Sequence, residues 1–197
     1  MGVAAMEAAD TAVCEWSADF LGDWRDNMAL HLDSLGYTVP ATDDAEKVFF
    51  KLRSVERRTV SIKPRAVFVS REFTCPSELV SGLEDLKRKV RAGDDVKPHL
   101  SKGIFNADYE DALLTDWGVL HFHLGQNPHK SITGLVERTG PVLFALVTDD
   151  AFYLIDVKGH GSWANKDLVE IVHRNWPHLI ARFKLNGVLG VEQEPDE

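Results

Sequence analysis

The stretch GPVLFALVTDDAFYLIDV, residues 140–157, decides the fold. Two apolar runs flank a short turn that contains Asp149 and Asp150, and this pattern is typical of two adjacent antiparallel strands. Because both runs are almost continuously apolar, we expect both faces of these strands to be covered, on at least one side by helices.

Two segments on the N-terminal side of this hairpin also have the pattern of strands. Residues 119–124 form a short alternating run in which His121 and His123 share one face. Residues 59–73 are rich in β-branched side chains, and Pro64 within them indicates an edge strand or a bulge. We expect residues 119–124 and the hairpin to form a three-stranded meander, with residues 59–73 as a further strand.

Four other segments show the helical spacing of apolar side chains, and Pro177 must kink or divide the last of them. They are Asp10 to Leu35, Ala45 to Arg58, Pro76 to Val90 and Asp167 to Phe183. The sequence therefore predicts an α+β fold in which one antiparallel meander sheet packs against helices. We expect an N-terminal helical region over residues 1–58, an α+β domain over residues 59–190 and an acidic tail over residues 191–197.

The composition places limits on the class of protein. The chain of 197 residues is 44% hydrophobic, which argues against disorder and is enough for a packed core. No apolar run approaches the roughly 20 residues that a membrane-spanning helix requires, and the first residues lack the basic and apolar regions of a signal peptide. The two cysteines, Cys14 and Cys75, are too few for a disulfide framework. We therefore expect a cytoplasmic protein that does not associate with membranes.

Charge is distributed unevenly along the chain. The formal net charge is −9, and an acidic protein repels polyanions at long range. Residues 51–105 nevertheless carry 13 basic and 7 acidic side chains. Because exposed charges beyond about 8–10 Å are largely screened in physiological salt, this basic segment can provide a local phosphate-binding face. The basic residues between 87 and 91 can equally be the solvated side of one helix.

Histidines are the first candidates for chemistry, since five of the eight lie between residues 121 and 173. His121 and His123 could both ligate one metal ion, with His129 or His160 as a third ligand. The other interpretation of His121 and His123 is two half-exposed strand residues with ordinary hydrogen-bond partners. The residues alone leave both interpretations open.

The same histidines also fit the cleavage of RNA without a metal. Attack by the 2′-hydroxyl needs a base, an acid for the leaving 5′-oxygen and cations that stabilise the transition state. Histidine suits both proton transfers because its unperturbed pKa of about 6.5 lies near the working pH. We assign His121 or His123 as the general base and His160 as the general acid. We assign the phosphate contacts to Lys102, Arg138 and Lys158, and Trp163 either stacks a base or packs in the protein.

The order of these elements resembles that of the RelE-type toxin ribonucleases in the barnase, colicin and RelE-like superfamily, over about residues 60–185. Leu100-Ser101-Lys102-Gly103 is similar to the leucine-lysine-glycine loop motif of that family, so the resemblance makes Lys102 a phosphate contact. His123, two residues before Gly125, takes the place of a strand arginine. Lys158 and His160 match the basic or histidine residues that follow the last strand.

The chain also departs from the family pattern. It is acidic, it begins with helices of its own, and its second meander strand lacks the usual first arginine, although Arg138 lies just upstream. The resemblance implies a RelE-like, ribonuclease-like domain over residues 59–190 that acts as a metal-independent endoribonuclease without a cofactor. It further implies a toxin of a toxin–antitoxin or phage-defence system, with RNA as the substrate and a protein antitoxin as the partner.

Two alternatives belong to other classes. The first is a non-enzymatic protein-interaction domain, which would use the stripe of Trp16 and Trp24 on the first helix. The second is a histidine-rich, metal-dependent enzyme.

Overall fold

The structure is a computed structural model that describes residues 18–159 and 166–183. The chain divides into two compact units, residues 1–49 and residues 50–197. None of the helices in the described ranges has both the length and the apolar character needed to cross a membrane.

The first unit contains helix α1, Phe20–Ser34, and the first turn of helix α2, Ala45–Arg58. The Oδ1 atom of Asp19 accepts a hydrogen bond from the Gly22 backbone N–H at 2.9 Å and caps the start of α1. Gly36 follows the helix with φ +89°, a conformation that glycine adopts without steric cost. The predicted helix start at Asp10 lies outside the described residues.

The second unit is built on a four-stranded sheet. The strands β1 to β4 are Ala66–Val69, Val119–Phe122, Pro141–Val147 and Ala151–Gly159, and their order in the sheet is β1-β4-β3-β2. Strands β2, β3 and β4 pair antiparallel with their neighbours in the chain. The predicted α+β class is confirmed.

The expectation of a purely antiparallel sheet is wrong at one edge. Strand β1 pairs with β4 in parallel, in the register Ala66↔Ala151, so the sheet is mixed. A parallel neighbour requires a crossover of a dozen or more residues, and the long chain between β1 and β4 provides it. Strand β1 is also shorter than the predicted segment 59–73, and it begins at Ala66 because β4 begins only at Ala151 and offers no earlier partner.

Helices pack against both faces of the sheet and form two hydrophobic cores. Helix α3, Val80–Ala92, packs with the face of the sheet that carries Phe122. Helix α5, Lys166–Asn175, packs with the face that carries Phe144. The predicted closing helix is divided at Pro177, since α5 ends before it and two short 3₁₀ turns follow.

The strand register brings polar side chains to one end of the sheet. His121 lies opposite Phe144, which in turn lies opposite Asp156. Two residues further along β3 towards that end of the sheet, Val142 lies opposite Lys158. Alternate residues of a strand share a face. One face of the sheet therefore carries His121, Asp156 and Lys158, and His123 follows directly after the end of β2.

Gly82 allows α3 to approach the segment that follows β2. A Cβ atom at residue 82 would overlap the backbone oxygen of Leu124. We expect Gly82→Ala to lower the free energy of unfolding by about 1–3 kcal/mol, although alanine favours a helix over glycine by about 1 kcal/mol. Urea denaturation measures the change. Gly140→Ala is the control, because a Cβ there meets no atom within 4 Å; equal stability of the two variants would contradict the close approach.

Candidate active site: a histidine cluster at one end of the sheet

His121 lies beside a buried carboxylate. Its Nδ1 atom is 3.6 Å from Oδ2 of Asp111, and only 4% of His121 is exposed. Asp111 precedes helix α4, Ala112–Trp117, and its Oδ1 caps the helix by accepting a hydrogen bond from Leu114 N at 3.1 Å. Burial raises the pKa of Asp111. A carboxylate on the Nδ1 side of an imidazole favours the Nδ1–H form, which leaves Nε2 as the basic nitrogen.

His123 has a different hydrogen-bond arrangement. Its Nδ1 accepts a hydrogen bond from the backbone N–H of Thr139 at 3.2 Å. A ring nitrogen that accepts a hydrogen bond carries no proton, so the neutral ring holds its proton on Nε2. The rings of His121 and His123 lie 6.2 Å apart between centroids. The Nδ1 atoms of the two histidines therefore face different kinds of partner, a carboxylate at His121 and a backbone N–H at His123.

Sequence reasoning did not identify His99 as a member of this cluster. Its Nδ1 is 2.8 Å from the backbone oxygen of His123, and its Nε2 is 3.0 Å from Nζ of Lys89. The carbonyl must accept and the ammonium must donate, so His99 is neutral with its proton on Nδ1. Burial is the main cause that lowers the pKa of His99. The only signal in the sequence is the position of His99 just before the loop that carries Lys102.

Arg138 supplies a half-buried positive charge next to the histidines. It directly precedes Thr139, which bonds to His123, and its Nη1 donates to Leu100 O at 2.8 Å. Its Nη2 is buried and has no hydrogen-bond partner among the described residues. Burial lowers the pKa of Arg138. A buried guanidinium nitrogen without a partner is costly, and an anionic ligand would satisfy it.

The other predicted phosphate contacts differ in their surroundings. Nζ of Lys158 lies 3.2 Å from Oδ2 of Asp167 and 4.0 Å from Oδ2 of Asp156, on the sheet face of His121. Lys102 is exposed at the start of a short 3₁₀ turn, and no contact among the described residues joins it to the histidines. His160 and Trp163 lie outside the described residues.

The half-exposed interpretation of the strand histidines is wrong, since the fold buries both His121 and His123. Helices on both sides of β2 remove its side chains from water, and all four of its residues are buried. Within residues 18–159 and 166–183, no three His, Cys, Asp or Glu side chains are placed to hold a metal ion. Nδ1 of His129 accepts hydrogen bonds from the backbone N–H groups of Ser131 and Ile132, at 3.1 and 3.0 Å, within a turn.

Neutral His99 makes stability depend on pH. The native state keeps its ring neutral at pH values where the unfolded chain takes up a proton, because burial lowers its pKa below the usual 6.5. The unfolded state then binds more protons, so the free energy of unfolding should fall as the pH is lowered from about 7 to 5, by up to about 1.4 kcal/mol per pH unit. Urea denaturation across this pH range should show that the free energy of unfolding of His99→Gln falls less steeply with decreasing pH than that of the wild type. The exposed His173 provides the control His173→Gln, and identical slopes in both variants would contradict the assignment.

Comparison with models of protein families, with curated proteins and with solved structures finds no match to this chain. The resemblance to the RelE-type toxin ribonucleases is therefore carried by the quoted motifs and the order of elements alone. The chemistry of the site has to be argued from its own geometry.

Proposed function

We propose that the chain is a metal-independent endoribonuclease that cleaves RNA by attack of the 2′-hydroxyl on the adjacent phosphate. The observation that carries the proposal is the buried Nη2 of Arg138, which has no partner among the described residues and lies next to a cluster of buried histidines. A phosphate oxygen would satisfy this donor, and guanidinium groups bind phosphate strongly. Histidines at the same place provide groups for proton transfer.

His121 is the better general base of the two strand histidines. Asp111 lies on the Nδ1 side of the His121 ring, as an orienting carboxylate does in other acid–base pairs. Nδ1 of His123 already accepts a backbone hydrogen bond, so this nitrogen is not available as a base. A separation of 3.6 Å is long for a hydrogen bond, and such contacts often shorten only when substrate binds.

The proposed reaction is a transesterification at phosphorus, and it needs no oxidant and no cofactor. His121 Nε2 takes the proton of the 2′-hydroxyl, the bond from O2′ to phosphorus forms, and the bond from phosphorus to O5′ breaks. The leaving O5′ takes a proton from the general acid, for which His160 remains the sequence-based assignment. Arg138 and Lys158 stabilise the charge that develops on the phosphate oxygens. The products are a 2′,3′-cyclic phosphate and a 5′-hydroxyl.

The wider assignments rest on the resemblance to the RelE-type toxins. They are the role of Lys102 as a phosphate contact, base stacking by Trp163, a toxin function in a toxin–antitoxin or phage-defence system, and a protein antitoxin as partner. They form part of the same proposal.

Purified protein incubated with RNA in EDTA should produce fragments with 2′,3′-cyclic phosphate ends. His121→Ala should slow cleavage by about 10²–10⁴-fold, since it removes a general base, and Asp111→Asn should slow it by a smaller factor. Gel electrophoresis with end-group analysis measures both effects. His173→Ala, at an exposed position of α5, should cleave at the wild-type rate. The assignment is wrong if the wild type does not cleave or if His121→Ala cleaves equally well.

A protein-binding function is the second candidate, and the surface of α1 favours it. Phe20 and Leu30 on this helix are 82% and 68% exposed. Large apolar side chains grouped on one helix often mark a surface that a second protein covers. Trp24 contributes to this surface with 47% exposure, and Trp16 lies outside the described residues.

If α1 associates with a second copy of the chain, light scattering should show a mass above that of the monomer at high protein concentration. The double substitution Phe20→Glu and Leu30→Glu should return the protein to the monomer, because two buried charges without partners oppose association. Phe105→Glu, at an exposed apolar side chain of the second unit, is the control. A wild type that stays monomeric throughout would argue against this self-association.

A further inference from the structure

A cleft with a volume of about 680 Å³ lies within the second unit, between α2 and residues 110–116. Its size falls within the range of small-molecule sites, which are about 300–1,000 Å³. We propose that this cleft binds one nucleotide of a single-stranded RNA substrate, with its phosphate on the α2 side and its base on the other. The inference rests on the proposed function, because it names the substrate part that the same enzyme would recognise.

The α2 side of the cleft carries two exposed arginines, Arg53 and Arg57. Nη2 of Arg57 donates to the backbone oxygens of Leu114 and Thr115, at 2.6 and 3.1 Å. These bonds fix the guanidinium against the C-terminal carbonyls of α4, while Nε and Nη1 of Arg57 have no partner among the described residues. A guanidinium held at one edge is pre-organised for phosphate, because little conformational freedom is lost on binding.

The opposite side of the cleft carries Glu110 and Asp116. Neither carboxylate forms a hydrogen bond or ion pair within the part of the chain that the structure describes. Asp116 lies in the last turn of α4, where the helix dipole disfavours a negative charge. Carboxylates accept hydrogen bonds from the amino groups of bases, and guanine presents two adjacent N–H donors to one carboxylate.

The charge pattern of the cleft therefore matches a nucleotide at both ends. Arg58, which also lines the cleft, is occupied by backbone carbonyls, and its charge opposes the effect of burial on Asp111. Arg53 forms an ion pair with Glu56 through its Nη1 atom. Its other donors, the free edge of the Arg57 guanidinium and the two carboxylates are the groups that can meet a ligand. A simple anion would leave the carboxylates unused, and a simple cation would leave the arginines unused.

Asp111 connects this cleft to the histidine cluster. It lines the cleft and also a small cavity that extends to His121. A nucleotide in the cleft would therefore lie beside the acid–base pair that the proposed reaction uses. This position suits a nucleotide adjacent to the scissile phosphate.

Guanosine 5′-monophosphate is the probe, and isothermal titration calorimetry of the full chain measures its binding. We expect it to bind at least tenfold more tightly than either guanosine or inorganic phosphate alone. Arg53→Gln and Glu110→Gln should each weaken binding by about tenfold or more, the usual effect of losing one charge-assisted hydrogen bond. The matched controls are Arg91→Gln and Glu78→Gln, both at exposed positions of the second unit that do not line the cleft, and they should bind as the wild type does.

The outcomes separate this inference from the proposed activity. If the wild type fails to bind the nucleotide at millimolar concentration, or if Arg53→Gln binds as Arg91→Gln does, the cleft is not a nucleotide site, whatever the cleavage assay shows. If the nucleotide binds with the expected dependence on Arg53 and Glu110 but the wild type does not cleave RNA, the nucleotide site stands and the ribonuclease proposal fails. Thermal unfolding of each variant checks that the fold is intact.

Discussion

The site depends on the hydrogen bonds that the buried guanidinium of Arg58 donates to backbone oxygens. The guanidinium donates hydrogen bonds to the backbone oxygens of Gly103 and Asn106 at 2.8 Å, to Ala107 O at 3.2 Å and to Ser54 O at 3.0 Å. A charge that is only 4% exposed is stable only when its donors are satisfied, so the loop carbonyls and the arginine hold one another in place. The loop in turn leads to Asp111, the residue that caps α4 and faces His121.

Much of the fold could be predicted because its signals are local. The two strands of residues 140–157 are adjacent in the chain, so their pairing follows from one turn and two apolar runs. The end of α5 before Pro177 follows from the missing N–H of proline. The parallel pairing of β1 with β4 could not be predicted in this way, because it joins Ala66 to Ala151 across most of the second unit. No local pattern records which edge of a sheet a distant strand will occupy.

The candidate site also combines features that follow from local sequence with contacts between residues that are distant in the chain. Alternation along a strand was enough to predict that the rings of His121 and His123 lie close together. Nothing in the spacing of residues could show that His99 bonds to the backbone of His123, or that Asp111 approaches His121, since these contacts arise from the packing of separate loops. The burial of the strand histidines is also a tertiary property. It changes their chemistry, because each ring must satisfy its nitrogens within the protein, and the partners then decide which nitrogen holds the proton.

The basic character of residues 51–105 overstates the positive charge that is available to RNA. Arg58 is occupied by carbonyls, and Arg65 is buried with hydrogen bonds to Thr148 O and Ser61. Lys89 lies between Asp85 and His99. Several of these cations therefore stabilise the fold rather than form a surface for phosphate. The cations placed at the proposed site are Arg53 and Arg57 of this segment, in the cleft, and Arg138, which lies outside it, at the histidines. An acidic chain can recognise RNA under these conditions only by short-range contacts, since its overall field opposes the approach of a polyanion and salt screens both effects. Specific positioning of a few arginines, rather than total charge, is then what the proposed activity requires.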